Sequence, residues 1–233
     1  MKVVILAGGQ GTRISEYTKK IPKPMIKILK KPIIVRIIEY YSKFNFKEFI
    51  IAGGYKQQIL KSFFKKNLKD LNIKVVNTGT NTMTGGRLKR LKKFLNRETF
   101  LMTYGDGLAN VDLDKLIKFH KKNKKLVTLT AVRPPARFGY LKLKGNSVKY
   151  FKEKSKTDEG WINGGFFIIE PKFLNNIKGD GTYLEREPLE KLVKKNNLAA
   201  FKHKGFWQCV DTVRDKNNLE NLLKQNKYKK IFD

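Results

Sequence analysis

The sequence contains a single cysteine among its 233 residues. Cys209 has no second cysteine to pair with, which excludes an intramolecular disulfide and a cysteine-rich metal site. No apolar run approaches the length that crosses a bilayer, and the opening stretch MKVVILAGG is too short and too soon interrupted by glycine for a signal peptide. We therefore expect a soluble, cytoplasmic protein without a membrane partner.

Acidic residues are also scarce, with 20 Asp and Glu against 51 Lys and Arg, a formal net charge of +31. Such a charge attracts polyanions, nucleic acid included. In RLKRLKKFLNR (87–97), however, Leu88, Leu91, Phe94 and Leu95 recur at helical spacing and leave the basic residues in water. No helix-turn-helix, zinc-finger or aromatic RNA-binding signature accompanies the charge. We favour a solvated basic surface and keep a polyanion-binding protein as the alternative.

Strand-like and helix-like segments alternate along the first part of the chain. This βαβ rhythm predicts an α/β fold with a mostly parallel sheet covered on both faces. After residue 133 we predict a hairpin over 138–154, turned at Gly145-Asn146, and a strand over 161–170, a small antiparallel part. No repeat or long linker divides the chain, so we expect one domain, 1–233. The predicted strands are 2–8, 48–54, 72–79, 99–107 and 125–132, and the predicted helices are 31–44, 55–66, 85–97 and 112–123.

The loop AGGQGTR (7–13) follows the first predicted strand, at the edge of the sheet where ligands of α/β proteins bind. Glycines let the backbone approach a ligand and turn N–H groups toward phosphates. The loop is no Walker A motif, because no lysine and Ser/Thr pair closes it. Ile14 stands where the dinucleotide fingerprint has its third glycine. A tight turn without a ligand remains the alternative.

A lysine stands between two prolines in IPKPM (21–25). Pro22 and Pro24 favour extended backbone at the residues before them, so we expect Lys23 to lie outside any helix in a stiff segment. A fixed cation near a phosphate loop can neutralise the charge that develops during phosphoryl transfer. An ordinary exposed lysine is the alternative.

Together, LAGGQGTR and PKPM resemble the signature of the sugar-phosphate nucleotidylyltransferases. The resemblance to their glucose-1-phosphate cytidylyltransferase branch extends over nearly the whole chain. It implies a Rossmann-like α/β/α sandwich and an enzyme that converts CTP and α-D-glucose 1-phosphate into CDP-glucose and pyrophosphate. Further matching stretches are NTGTNTMTGGRLKR (77–90), TYGDG (103–107), PPARFGYL (134–141), FKEK (151–154), INGGFF (162–167), YLEREPLEKL (183–192) and GFWQCVDTVRD (205–215).

The resemblance also implies site residues. Residues 1–133 would form the nucleotide-binding part and 134–233 the sugar-phosphate-binding part. The catalytic group would be Lys23, Arg13 and Asp106, and Mg²⁺ would be held by Asp106 and Asp211 together. The nucleotide would be bound by Leu6, Ala7, Gly8, Gly9, Gly11, Thr12, Arg13, Lys23, Thr82, Gly85, Gly86 and Arg87. The sugar phosphate would be bound by Gly139, Glu153, Lys154, Asn163, Gly164, Glu185 and Glu187.

Asp106 and Asp211 can also be judged from their chemistry. A buried aspartate is costly without a cation, and magnesium favours one or two carboxylates plus phosphate oxygens. Taken alone, Asp106 between its glycines is equally a turn residue.

This chain departs from the family's pattern in two places. The segment between the predicted helix 55–66 and Asn77 is short, and KEKS replaces the usual EKP. The short segment keeps open another nucleotide (UTP, TTP or GTP) and another sugar 1-phosphate. A homo-oligomer is also kept open.

Overall fold

The computed structural model of the protein describes residues 1–134, 140–152 and 160–232. Its strands are β1 (Val3–Ala7), β2 (Lys27–Ile28), β3 (Lys31–Pro32), β4 (Glu48–Gly53), β5 (Asn72–Asn77), β6 (Phe100–Tyr104), β7 (Gly107–Ala109), β8 (Val127–Val132), β9 (Tyr140–Lys144), β10 (Ser147–Lys152), β11 (Ile162–Ile169), β12 (Leu198–His203) and β13 (Trp207–Cys209).

The helices of the described residues are α1 (Ser15–Thr18), α2 (Ile33–Ser42), α3 (Gln57–Lys66), α4 (Thr84–Arg90), α5 (Lys92–Leu95), α6 (Leu113–Asn123), α7 (Glu187–Lys194), α8 (Val213–Lys224) and α9 (Asn226–Phe232). Short 3₁₀ helices cover Thr12–Ile14, Lys23–Met25 and Pro171–Asn176. None of the helices in the described ranges combines the length and the apolar character that a membrane span requires.

The main sheet of the described residues has seven strands in the order β12-β8-β11-β6-β1-β4-β5. All neighbours in this sheet are parallel except β11, which runs antiparallel to both β6 and β8. The predicted α/β class with a mostly parallel sheet is confirmed. Because β11 and β12 lie beside β6 and β8, both predicted parts of the chain share one sheet.

Two apolar clusters cover the opposite faces of this sheet. Along β1, Val3 and Ile5 pack into one cluster, which includes the buried side of α2, and Val4 and Leu6 pack into the other, which includes Leu88 of α4. Successive strand residues point to opposite faces, so a strand that is apolar throughout needs both faces covered. This packing confirms the predicted α/β/α sandwich.

The helix predicted over 31–44 begins later, at Ile33, because Pro32 has extended backbone (ψ 141°) and pairs in the β2–β3 hairpin. The helix predicted over 85–97 is divided at Leu91 into α4 and α5. The turn at Gly145-Asn146 between β9 and β10 is confirmed, and Gly145 has a φ of 57° there.

The prediction that Lys23 lies outside any helix is wrong. Lys23 is the first residue of a 3₁₀ turn, and the extended residue is Pro22 (ψ 146°). The turn closes with Met25 N donating to Pro22 O at 2.8 Å. Pro24 is tolerated at the second position because the first turn of a helix needs no N–H donor there.

A two-stranded antiparallel pair lies beyond the carboxyl edge of the main sheet. In it β7 pairs with β13, with Gly107 opposite Cys209. Asp106 stands immediately before β7, and its carbonyl accepts a hydrogen bond from Val210 N at 2.8 Å. This pair therefore places the chain around Asp106 beside the segment that leads to Asp211.

Candidate active site

The glycine loop begins where β1 ends, at the carboxyl edge of the sheet. Gly11 has a φ of 66°, a left-handed conformation that favours glycine. In the described part of the chain, the backbone N–H groups of residues 9–12 donate to no other residue. A loop with several unpaired N–H groups is suited to bind anionic oxygens.

Lys23 lies between two carboxylates beside this loop. Its Nζ donates to Asp106 Oδ2 at 2.5 Å and to Asp211 Oδ1 at 2.7 Å. Arg13 Nη2 also contacts Asp211 Oδ1, at 3.1 Å. The predicted catalytic and metal-binding residues therefore meet at one point: Lys23, Arg13, Asp106 and Asp211.

The electrostatics of the group follow from its partial burial. Burial by itself would lower the pKa of the Lys23 ammonium, but the charge of Asp106 and the hydrogen bonds to Asp106 and Asp211 outweigh it, so the pKa is raised. Lys23 therefore stays charged at neutral pH. Arg13 is mostly exposed, with 72% of its side chain accessible, and can reorient toward a ligand.

The TMTGGR segment (82–87) starts α4 and has two different sides. Thr82, Met83, Thr84 and Arg87 line a cleft of about 230 Å³ beside the glycine loop. Gly85 N and Gly86 N instead donate to Thr182 O, at 3.0 and 3.2 Å. The contact of these two glycines with a base stays a prediction.

Gly85 and Gly86 are explained by close packing. A Cβ on Gly85 would lie 2.8 Å from Thr182 O, and one on Gly86 would lie 2.5 Å from Asp180 O. Real Cβ atoms do not approach backbone oxygens so closely, so the segment around residue 180 packs on α4 only because both positions lack a side chain.

Arg87 is buried and donates hydrogen bonds to the loops around the cleft. Its Nη1 donates to Thr78 Oγ1 at 2.8 Å and Gly79 O at 2.7 Å, and its Nη2 donates to Gly8 O at 3.0 Å. A Cβ on Gly8 would lie 2.0 Å from Arg87 Nη1. The donors of Arg87 thus form hydrogen bonds that join the glycine loop to the loop after β5. The contact between Arg87 and a base stays a prediction.

The family model for "Nucleotidyl transferase" matches residues 2–225 of the chain. The chain belongs to the nucleotidyl transferase family. It is 44% identical to glucose-1-phosphate cytidylyltransferase of Salmonella typhimurium, over 97% of each protein. It is 40% identical to the probable glucose-1-phosphate cytidylyltransferase of Bacillus subtilis, over 97% of this chain and 95% of the relative. The resemblance inferred from the motifs is confirmed.

A solved structure of UDP-glucose pyrophosphorylase with UDP-glucose matches this nucleotidyl transferase with a TM-score of 0.74 over 98% of each chain. At 20% identity, this likeness shows the shared fold. The Salmonella alignment spans 250 positions, more than the 233 residues here. That relative therefore has residues for which this nucleotidyl transferase has no counterpart.

The residues predicted to bind a sugar phosphate differ in their positions and contacts. Asn163 Oδ1 accepts from Gly165 N at 2.9 Å, and Gly164 O accepts from Trp207 Nε1 at 2.7 Å. Glu185 lies at the rim of the cleft, where it accepts hydrogen bonds from Thr84 and Tyr104. Gly139, Glu153 and Lys154 lie outside the described residues.

Glu187 is not brought to the cleft of this nucleotidyl transferase. It is the first residue of α7, and its Oε1 pairs with Lys191 Nζ at 2.7 Å and with Lys178 Nζ at 2.9 Å. Hydrogen bonds from these lysines lower the pKa of Glu187 to about 2. Its carboxylate takes part in surface ion pairs, and its contact with the sugar phosphate stays a prediction.

Part of the cleft lining was not predicted from the sequence. The predicted residues Leu6, Ala7, Gly8, Gly9, Lys23, Thr82, Arg87 and Asp106 line it, together with Pro24, Met83, Thr84, Tyr104, Gly105 and Tyr183. The signal for Tyr104 was available in TYGDG, because it precedes the predicted aspartate at the end of β6. Tyr183 comes from a distant segment that no local pattern connects to the glycine loop.

Asp106 and Asp211 offer carboxylate oxygens that are suited to a divalent metal ion. No cluster of three or more His, Cys, Asp or Glu side chains occurs among the described residues. The donor set is therefore two carboxylates, with one oxygen of each within 2.7 Å of the same nitrogen. Two convergent carboxylates, completed by phosphate oxygens and water, suit the octahedral coordination of Mg²⁺.

Proposed function

We propose that the protein transfers the cytidylyl group of CTP to α-D-glucose 1-phosphate, which yields CDP-glucose and pyrophosphate. The observation that carries the proposal is the position of the Lys23 ammonium between Asp106 and Asp211, beside a glycine loop with unpaired N–H groups. The 44% identity to the Salmonella enzyme over almost the entire chain supports the choice of CTP and glucose 1-phosphate.

In this proposal the glycine loop and its flanking residues hold the triphosphate. The N–H groups of residues 9–12 donate to phosphate oxygens, and Thr12 and Arg13 approach from the following 3₁₀ turn. Lys23 faces the α-phosphate, where its charge offsets the negative charge that grows on the transferring group. Arg87 acts indirectly, because it fixes the loop through Gly8.

The attacking oxygen belongs to the phosphate of the sugar phosphate, which is already ionised at neutral pH. The reaction therefore needs no general base from the protein. Its chief demand is that the attacking oxygen, the α-phosphorus and the leaving pyrophosphate lie in line. The rigid sheet edge and the stiff Pro22–Pro24 segment meet this demand by holding Lys23 and Asp106 in place.

A divalent cation, Mg²⁺, is part of the proposal, with Asp106 and Asp211 as its protein ligands. When bound, it would neutralise the triphosphate and the departing pyrophosphate. Lys23 contacts the same two carboxylates. The ammonium therefore holds the pair of aspartates together while it also faces the α-phosphate.

We propose that the sugar phosphate is bound by Asn163, Gly164 and Glu185 among the described residues. The family resemblance adds Gly139, Glu153 and Lys154. Asn163 and Gly164 stand at the start of β11, close to Tyr104 of β6: Asn163 Nδ2 lies 3.5 Å from Tyr104 Oη. Glu185 reaches the same tyrosine from the other side.

The test is a matrix of CTP, UTP, TTP and GTP against glucose 1-phosphate, with pyrophosphate release as the readout. We expect CTP to exceed UTP by at least about tenfold in kcat/KM, because polar groups matched to one base edge are left unpaired by the other. Equal turnover of both pyrimidines would contradict the proposed base choice.

The same matrix tests a second nucleotide. D-glycero-α-D-manno-heptose 1-phosphate guanylyltransferase of Campylobacter jejuni is 33% identical over 84% of this chain. GTP with a heptose or mannose 1-phosphate therefore belongs in the panel.

A salt titration separates the polyanion-binding alternative, since binding through charge falls steeply with ionic strength whereas turnover persists.

A further inference from the structure

A hydroxyl pair holds the carboxylate of Glu185 at the rim of the cleft. Tyr104 Oη donates to Glu185 Oε1 at 2.5 Å, and Thr84 Oγ1 donates to Glu185 Oε2 at 2.6 Å. Both hydroxyl-bearing residues line the cleft. Each oxygen of a carboxylate has two lone pairs, so two acceptor positions remain for a ligand.

Tyr104 is itself fixed by the sheet. Its ring packs edge-on against Phe167 of β11, with ring centroids 5.9 Å apart. Gly165 makes room for the ring, because a Cβ there would lie 2.6 Å from Tyr104 Cδ2. The hydroxyl thus leaves the end of β6 in a direction set by two adjacent strands.

The Tyr104 hydroxyl donates to a carboxylate oxygen. A hydrogen bond to an ionised acceptor is stronger than one between neutral groups.

The 180–185 segment is joined to the cleft by this arrangement and by hydrogen bonds with residues at the start of α4. Met83 N donates to Asp180 O at 2.8 Å, and Leu184 N donates to Thr84 Oγ1 at 2.9 Å. Thr84 therefore accepts from the backbone of this segment and donates to its carboxylate. The segment beside the nucleotide cleft and the Glu185 carboxylate are one hydrogen-bonded unit.

We infer that Tyr104 is a positioning residue for sugar recognition: its hydroxyl, with that of Thr84, orients the Glu185 carboxylate to accept hydrogen bonds from hydroxyl groups of the sugar 1-phosphate. The inference rests on the proposed function and assigns the discrimination among sugar hydroxyls to this group. Tyr104 contacts the carboxylate and takes no part in the bond-making step.

The test is Tyr104→Phe, which keeps the ring and removes the hydroxyl. We expect KM for glucose 1-phosphate to rise about tenfold, equivalent to about 1.4 kcal/mol, with KM for CTP and kcat changed by less than about twofold. The matched control is Tyr40→Phe. Tyr40 also donates its hydroxyl, to Val111 O at 3.0 Å, but lies away from the cleft.

A series of deoxyglucose 1-phosphates identifies the recognised hydroxyl. The unaltered protein should discriminate against the analogue that lacks it, and Tyr104→Phe and Glu185→Gln should both weaken discrimination against that same analogue. The double variant should lose little more than Glu185→Gln alone, because the two residues act as a unit.

The outcomes separate the two claims. No turnover of glucose 1-phosphate by the unaltered protein contradicts the proposed function and this inference with it. Normal turnover together with an unchanged KM in Tyr104→Phe contradicts the inference alone. An equal rise of KM in Tyr104→Phe and Tyr40→Phe would show a general structural effect and would also overturn it.

Discussion

Replacement of Lys23 by methionine removes one charge from the centre of the site and keeps the length of the side chain. Lys23 exposes 14% of its side chain, and Asp106 and Asp211 expose 28% and 21% of theirs. The substitution leaves two partly buried carboxylates without their shared cation. Arg13 remains near Asp211 alone.

The structure sets the size of two separate effects. Truncation of one partner of a fully buried ion pair costs about 3–5 kcal/mol, and partial exposure reduces this here to about 1–3 kcal/mol of unfolding free energy. Loss of one positioned charge at a transition state lowers kcat by roughly 10²–10³-fold. The predicted rate loss is therefore larger than a partly destabilised but folded enzyme would show.

Steady-state kinetics and thermal unfolding measure the two effects in the same preparation. We expect Lys23→Met to lower kcat by at least about a hundredfold with a smaller change in KM for CTP, as befits an interaction made mainly in the transition state. Lys20→Met is the matched control, because Lys20 is an exposed lysine on the same segment. A kcat within about threefold of the unaltered protein would remove Lys23 from the mechanism.

Three further predictions follow from the geometry. Asp106→Asn and Asp211→Asn should each abolish most activity, and the double variant should lose little more, since carboxylates that share an ion act as a unit; losses that multiply would refute the shared site. Glu187→Gln should leave KM for glucose 1-phosphate unchanged. The lowered pKa of Glu187 means that its ionised form stabilises the fold above the ordinary value of 4.5 and that this contribution is lost as pH falls toward about 2. The thermal midpoints of the unaltered protein and of Glu187→Gln should therefore converge as pH falls from 4.5 toward about 2. A change in KM for glucose 1-phosphate at neutral pH, without a difference in thermal midpoint, would contradict the surface role. Gly86→Ala should lower the unfolding free energy by about 1–3 kcal/mol through overpacking, whereas Gly9→Ala, with no atom within 4 Å of the added Cβ, should not; equal unfolding curves for both would contradict the packing role.

The sequence was sufficient for the central features of the fold. The continuous apolar run of β1 predicts a strand buried on both faces, and the structure buries all five of its residues. Regular alternation then predicts the parallel sheet. The β7–β13 pair escaped prediction because each strand has three residues, too few to show a period of two.

The predicted centre of the site depends on that short pair. Each aspartate could be identified from its motif, but no local pattern predicts that the side chains of Asp106 and Asp211 contact the same cation. The register of β7 and β13, with Gly107 opposite Cys209, supplies the missing relation. Convergence of distant residues is a tertiary property, so periodicity within a single segment cannot reveal it.

The roles of individual glycines were harder to predict than the location of the site, because a glycine can serve a ligand or a neighbouring segment. Gly8 leaves space for the Arg87 guanidinium, whereas Gly85 and Gly86 leave space for the backbone at 180–182. Arg87 in turn holds Gly8 O, so one motif shapes the loop of another. The glycine-rich motifs in this chain therefore allow close packing between segments at least as much as they allow contacts to a nucleotide. A substitution at Gly8 should disturb the Arg87 contacts directly, and phosphate binding only as a consequence.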